Sequence, residues 1–468
     1  YPATFGAYDN SFNGASRSTD IGISKFDTTG KFMVYSTYLG GLNDELPHSI
    51  IANSSGQLYI LGSTSSKNFP VTPNAYQKTL AGGRSAQVGG LGINYINGAD
   101  IIVSLLSSDG SSLLSSTYLG GTGNDGFISY INNEQNPCIY NYADEVRGEI
   151  EFDLNGDIII ASSTYSTDFP FVLSSMYQTN HAGKSDGLII KLKPNLDVLW
   201  ANYVGGSGFD AAYSIQPDEN NNYIIAGASS STDLTFTSNG FQPSNGGGRN
   251  DGYIAKLTPN GQNMYRGTYW GNVTYDQVYF VDINQDNEIL VYGQTEDEFG
   301  YFVTGNTNYI DNNSGLFVSK FDSTLTKLEW STTVGTGTNA PNLSPTAFLT
   351  DVCDRIFISG WGGLTNNHSE FTGNKTGLTT GMKTTANAYQ KTTDGSDFYF
   401  AVFDINMDSL LYGSFFGGGV SQEHVDGGTS RFDKKGVIYQ AVCAGCGRNS
   451  DFPITPADAH SPTNKSNN

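Results

Sequence analysis

One segment returns six times along the chain, and no other feature limits the possible folds as strongly. Tyr35-Ser-Thr-Tyr-Leu-Gly-Gly41 recurs as Ser115-Ser-Thr-Tyr-Leu-Gly-Gly121 and as Trp200-Ala-Asn-Tyr-Val-Gly-Gly206, with weaker copies at 266–272, 330–336 and 412–418. An apolar run precedes each copy, as in Asp20-Ile-Gly-Ile-Ser-Lys-Phe-Asp27 and Asp186-Gly-Leu-Ile-Ile-Lys-Leu192. These runs begin near 20, 100, 186, 251, 315 and 397. After each copy come two further apolar stretches joined by a turn, as in Ile150-Glu-Phe-Asp-Leu-Asn-Gly-Asp-Ile-Ile-Ile-Ala161. A loop, Asn68-Phe-Pro-Val-Thr-Pro-Asn-Ala-Tyr-Gln77, ends the first unit and returns in part at 168–170, 387–390 and 451–456.

Each unit therefore predicts four short strands. Turns such as Asp27-Thr-Thr-Gly30 and Leu154-Asn-Gly156 supply the positive φ that hairpins require. Four antiparallel strands repeated around a ring make a blade, and a single blade cannot bury both its faces. The expected fold is all-β: a β-propeller of four-stranded antiparallel blades in one domain over 1–460, with 461–468 as a linker or tail. Six repeats are visible, so six or seven blades are expected. The Tyr-Leu-Gly-Gly aromatic is expected between blades, and its glycines near the axis.

Composition narrows the class. The 57 glycines show no strict period of three, which excludes collagen, and no run of about 20 apolar residues suggests a membrane span. The net charge of −21 argues against a nucleic-acid backbone or an anionic lipid surface as partner. It suits a soluble, secreted surface.

The combination of Tyr-Ser-Thr-Tyr-Leu-Gly-Gly, Leu-Tyr-Ile-Leu-Gly-Ser-Thr and Asn-Phe-Pro-Val-Thr-Pro-Asn-Ala-Tyr-Gln resembles the bacterial SBBP β-propeller repeat, over nearly the whole chain. The last two units add Phe348-Leu-Thr-Asp-Val-Cys-Asp-Arg-Ile-Phe-Ile-Ser-Gly-Trp-Gly-Gly363 and Val442-Cys-Ala-Gly-Cys-Gly447. With them the chain resembles large surface proteins of Bacteroidota associated with gliding motility. That resemblance implies export by the type IX secretion system and an extracellular, cell-surface location. It brings no enzymatic residues.

Local chemistry is sparse. Cys443-Ala-Gly-Cys446 is compatible with a redox pair, half a zinc site or a disulfide. Zinc would need Cys353 and Cys138, or a histidine, to converge on it. A secreted propeller favours a bridge between neighbouring blades, from Cys353 to Cys443 or Cys446, with Cys138 left over. Asp153-Leu-Asn-Gly-Asp157 and Asp282-Ile-Asn-Gln-Asp-Asn-Glu288 offer oxygen ligands for calcium, but Thr164 stands where an EF-hand needs its glutamate. Plain hairpin turns are the better reading, and no cofactor is expected. Glu423-His424-Val-Asp426 could serve acid/base chemistry. An acidic residue recurs at this place in other units, at Asp44, Glu45, Asp125, Asp210 and Asp276, which points to a structural tie to a backbone N–H. Ser107-Ser-Asp-Gly-Ser-Ser-Leu113 is only a fragment of a sialidase box. Resemblance to Bacteroidota O-glycosylation sequences makes Thr28, Ser323 and Ser409, each after an aspartate, candidate attachment sites.

The functional expectation is a non-enzymatic surface propeller in adhesion or assembly. Its partners would be a surface glycan, a protein ligand or other subunits, met through the insertions 79–98, 126–147 and 362–385. The alternatives are a spacer or filament subunit, and a propeller-type carbohydrate-active enzyme.

Overall fold

The computed structural model describes the chain except for residues 89–90, 130–133, 305–306, 339–340, 367–376, 427–429, 447–448, 450, 456 and 464–468. Most of the expected tail, part of the 362–385 insertion and the side chain of Cys446 therefore lie outside the described residues.

Five four-stranded antiparallel sheets follow one another, each with its strands in chain order. Blade 1 comprises Glu45–Ala52, Leu58–Thr64, Asp100–Leu106 and Leu113–Leu119. Blade 2 comprises Glu149–Phe152, Ile158–Thr164, Asp186–Leu192 and Val198–Val204. Blade 3 runs over Asp210–Pro217, Tyr223–Ser229, Asp251–Leu257 and Met264–Trp270. Blade 4 contains Asp276–Ile283, Ile289–Thr295, Leu316–Phe321 and Leu328–Val334, and blade 5 contains Ser344–Thr350, Ile356–Trp361, Phe398–Phe403 and Leu410–Phe416. First strands of successive blades pack on one another, which places them innermost. This is a β-propeller.

The count differs from the six or seven blades expected, and the reason is a phase shift. The sequence unit and the sheet are offset by two strands. Each blade joins the last two strands of one unit to the first two of the next, so six units build five complete sheets. What remains is the hairpin Ile21–Phe26 with Met33–Leu39, and two short C-terminal pairs, Gln422–His424 with Cys443–Cys446 and Arg431–Phe432 with Ile438–Tyr439.

The same shift corrects the place given to the glycines of Tyr-Leu-Gly-Gly, which follow the outermost strand at the turn into the next blade. The aromatic does lie between blades, as expected: Tyr203 of blade 2 packs with Leu61 and Val103 of blade 1, and Tyr269 of blade 3 with Ile159 and Ile189 of blade 2. Its tyrosine hydroxyl donates to the loop after the second strand of its own blade: Tyr118 to the carbonyl of Ser66 at 2.7 Å, Tyr203 to Ser166 at 2.9 Å, Tyr269 to Ser231 at 2.8 Å.

Cohesion comes from the spaces between blades. Ile51, Leu61 and Val103 of blade 1 pack on Ile150, Ile160 and Ile190 of blade 2. Between blades 3 and 4, Trp270 is 1% exposed and stands edge-on to Phe302, Phe317 and Phe321, with its indole N–H donated to Ser319 Oγ at 3.0 Å.

The glycine pair at each corner has a specific use. A Cβ on Gly120 would lie 2.4 Å from Asp100 Cγ, and one on Gly205 would meet both Asp186 and Asp210. The glycines let two carboxyl groups close on the turn. One comes from the third strand of the blade just ended. The other comes from the start of the next blade and accepts the second glycine's N–H: Glu45 from Gly41 at 2.9 Å, Asp125 from Gly121 and Asp210 from Gly206 at 2.8 Å each. At the next corner Asp276 accepts from Asn272 N at 2.6 Å. A side chain from the loop of the next blade completes the corner, as Asp168 accepts from Thr122 N at 2.8 Å. The structural tie inferred from recurrence is thus this clamp.

At the corner between blades 4 and 5 the third-strand acid is replaced by Gly315, and Asn342 accepts from Thr336 N at 3.2 Å. A carboxylate still serves this corner from another position: Asp311, ahead of the third strand, accepts from Gly335 N at 3.1 Å and pairs with Lys383.

Burial pushes these acids up: Asp100 to about 6, Glu45, Asp186, Asp210 and Asp251 to about 7, and Asp125 to about 8. Each binds its proton more tightly folded than unfolded. Stability from this source is full near the unfolded carboxyl value of about 4 and is lost as pH rises through the folded values.

Two outcomes are expected. The thermal midpoint, followed by circular dichroism, falls between about pH 5 and about pH 8, and Asp125→Asn flattens that slope. A midpoint that rises over this range contradicts the protonated clamp. Separately, Trp270→Ala lowers unfolding free energy by about 3–5 kcal/mol in a urea titration.

Candidate functional site at the propeller axis

A propeller places its ligand-accessible space where the inner strands converge. Here one end of that space is filled by the chain itself. The insertion between blades 1 and 2 starts at Phe127 and Ile128, both buried, and reaches Tyr213 of blade 3 and Gln277 of blade 4, which donate to the carbonyl of Cys138 at 2.9 and 3.0 Å. Tyr140 stacks on Tyr275, with ring centroids 3.8 Å apart. Asn141 donates to Tyr279 Oη at 2.7 Å and to Gln294 Oε1 at 2.8 Å. Arg147 donates to the carbonyl of Pro345 in blade 5 at 3.0 Å, and Tyr142 Oη to Asp426 at 2.9 Å. A segment that touches blades 3, 4 and 5 and the C-terminal strands at once can only cross the axis.

The plug is held by one buried ion pair. Asp144, fully buried, takes Arg147 Nε at 2.6 Å and also accepts from Tyr140 N, Asn141 N and Tyr279 Oη at 3.0, 2.7 and 2.8 Å. The guanidinium lies over the Tyr279 ring, 4.2 Å from its centroid. Such a pair is costly to desolvate, and its many hydrogen bonds are what make it tolerable.

The hairpin Ala86–Val88 with Ile93–Tyr95, from the 79–98 insertion, seals the flank. Tyr95 packs 4.9 Å from Phe127, and its hydroxyl lies 2.6 Å from Ser63 Oγ. Elsewhere on the inner strands, Arg431 binds Glu151 at 3.0 Å, Ser49 at 2.9 Å and the carbonyl of Ile150 at 2.7 Å, drawing the C-terminal strands against blades 1 and 2.

This arrangement corrects the reading of 126–147 as an exposed recognition loop. Its first, apolar positions are core, and Asn136, Asn141 and Asp144 are buried, while Glu134 and Gln135 stay exposed. The 79–98 insertion is likewise partly core, through Val88, Ile93 and Tyr95. Sequence reasoning missed Asp144, Arg147 and Tyr279. The one available signal was the density of aromatic and charged residues in an insertion otherwise placed at a loop.

The other predicted residues disperse. Among the described residues Cys138, Cys353 and Cys443 form no disulfide, so the expected bridge between blades is not made. Cys353 sits exposed at a hairpin turn, where its N–H is held by Asp351 at 2.9 Å. Cys138 is buried, and burial drives its thiol well above the ordinary value, away from thiolate chemistry.

Asp153 caps its own turn through Asn155 N at 2.8 Å and Asp157 N at 3.0 Å, while its other oxygen takes Lys191 at 2.9 Å. Asp282 accepts from Thr350 N at 2.6 Å. Asp153 is thus a hairpin tie, as expected, whereas Asp282 ties blade 4 to blade 5 and Asn284 caps the turn, accepting from Glu288 N at 2.8 Å. Ser107 and Asp109 likewise hold a turn through Ser111 N.

Thr28 falls in the turn of the Ile21–Phe26 and Met33–Leu39 hairpin, and Ser323 and Ser409 in turns between third and fourth strands, with Thr28 and Ser409 exposed and Ser323 half-buried. Glu423 belongs to a corner clamp, whereas His424 turns to Asp426, 2.8 Å away, under the rings of Tyr142 and Trp361. The acid and the imidazole of that motif therefore serve different neighbours.

No protein-family model and no curated protein matches the chain. Solved structures do. A protein of unknown function from Bacteroides caccae is 8% identical, covers 84% of this chain and 89% of its own, and has a TM-score of 0.36. One of unknown function from Dyadobacter fermentans is 10% identical, with coverages of 81% and 94% and a TM-score of 0.33. The NanB sialidase from Streptococcus pneumoniae is 8% identical, with 86% and 65% covered and a TM-score of 0.39. Scores this low assign no activity to this chain.

Arg147→Met leaves Asp144 buried without its partner. It is expected to lower stability by about 3–5 kcal/mol in a urea titration, and Asp144→Asn added to it recovers part of that loss.

Proposed function

We propose that this protein is a non-catalytic scaffold of the cell exterior, an SBBP-type propeller that acts in adhesion or surface assembly. The filled axis is the observation that carries this reading. An axial catalytic site needs an open, solvated pocket with free acid/base groups, and here Asp144, Arg147, Tyr279 and Asn141 are spent on one another.

In this reading the ring has six blades. The Ile21–Phe26 and Met33–Leu39 hairpin packs on blade 1 through Ile21, Ile23 and Tyr35, as a preceding blade would. The C-terminal strands take the opposite seam, where Val425 meets Trp361 and Phe398 of blade 5. Contacts between the two halves support closure: Lys31 pairs with Asp458 at 2.6 Å, and Phe26 meets His460 edge-on at 5.6 Å.

The residues 1–9 also lie along Met33–Leu39 through Thr4 N to the carbonyl of Ser36 and Tyr38 N to that of Asp9. The 68–77 loop lies in the same way along Leu113–Leu119. Export, an extracellular location, glycans at Thr28, Ser323 and Ser409, and a glycan or protein ligand on the outer loops follow from the same resemblance.

The deciding measurement is paired. The purified chain is assayed for hydrolysis on a panel of glycosides and for retention on a glycan array. The scaffold reading expects no turnover, with or without binding. Hydrolysis abolished by a substitution at the axis would instead establish the carbohydrate-active alternative.

A further inference from the structure

The pairing of Gln422–His424 with Cys443–Cys446 sets His424 directly opposite Cys443. Residues so placed have Cβ atoms about 4.5–5.5 Å apart. Asp426, two residues on, brings Oδ1 to 2.8 Å from His424 Nε2. One ligand atom from each of the three lies within 4.8 Å of the others.

We propose that His424, Asp426 and Cys443 bind a divalent ion of the zinc class. An imidazole nitrogen, a carboxylate oxygen and a thiolate are the donors that zinc takes in a tetrahedral site. With metal–ligand distances of about 2.0–2.3 Å, donors sit about 3.5 Å apart, so modest side-chain rotation brings these three to register. The sulfur selects against calcium and magnesium, which prefer oxygen.

The surroundings are those of a built centre. Tyr142 donates to the same Asp426 oxygen at 2.9 Å, an outer contact that fixes the carboxylate. The rings of Tyr142 and Trp361 wall the imidazole at centroid distances of 5.2 and 5.8 Å. The His424 side chain is 7% exposed and that of Asp426 51%, so one flank is closed and the other admits the ion and a water as fourth ligand.

An ion here would join two short C-terminal strands to each other and, through Tyr142, to the axial plug. It needs no turnover and adds no catalytic step.

The test uses the full chain, reduced and stripped with a chelator. Cobalt titration is expected to give a thiolate-to-cobalt charge-transfer band and tetrahedral d–d absorption that saturate at a single equivalent. Zinc then displaces the cobalt and raises the thermal midpoint. Cys443→Ser removes the charge-transfer band, and His424→Ala weakens binding. Tyr142→Phe, which keeps all three ligands, weakens binding about 10- to 100-fold. Wild-type protein that is folded yet takes up neither ion saturably would overturn the site, as would a cobalt spectrum unchanged in Cys443→Ser. Should Cys443→Ser fail to fold, the wild-type spectrum and the Tyr142→Phe affinity decide.

Discussion

The corner between consecutive blades is the constraint on which the architecture rests. A glycine pair opens room at the end of an outer strand, and a carboxyl group from the next blade fills it while capping the exposed N–H. Hydrophobic packing between blades is strong but has no direction. The clamp supplies direction, because its hydrogen bonds fix where the chain must leave one sheet and enter the next. It also explains why two like charges are tolerated so close together. They are buried, and each pair favours holding a proton. At the corner between blades 4 and 5, where Gly315 and Asn342 stand in place of the two acids, a carboxylate from elsewhere, Asp311, closes on the Gly335 N–H and is paired with Lys383.

The second constraint is the plug. Polar groups of the inner strands, those of Tyr213, Gln277 and Tyr279, meet the plug and find their hydrogen-bond partners in it. Residues 138–147 fill the axis with tyrosines, Asn141 and one ion pair, so that several blades share one set of hydrogen bonds. Blades that would otherwise contact only their neighbours are thereby coupled through the centre. Rigidity of this kind suits a body that displays its rim and outer loops.

Much of this could be read from the chain. The strands and their hairpin turns follow from alternating apolar runs bounded by glycine and asparagine. Even the turns without glycine keep the geometry, with Leu196, Leu325 and Met407 at φ of 70°, 57° and 54°. The acidic residue after each glycine pair was identifiable as structural by its recurrence.

The phase of the sheets was not legible, because a period in sequence says nothing about which neighbours hydrogen-bond. The plug was not legible either. An insertion found in one unit has no internal copy to compare with, and its burial depends on groups more than 130 residues away, such as Tyr279. The approach of His424 to Cys443 is of the same kind, since the two lie on opposite strands of a pairing set by the fold.

The offset between repeat and sheet has a consequence for how such chains grow. A duplicated unit inserted anywhere donates its front half to the sheet before it and its back half to the sheet after it. Lengthening by recombination then never leaves a raw seam in the interior, and new members of the ring arrive already fastened on both sides.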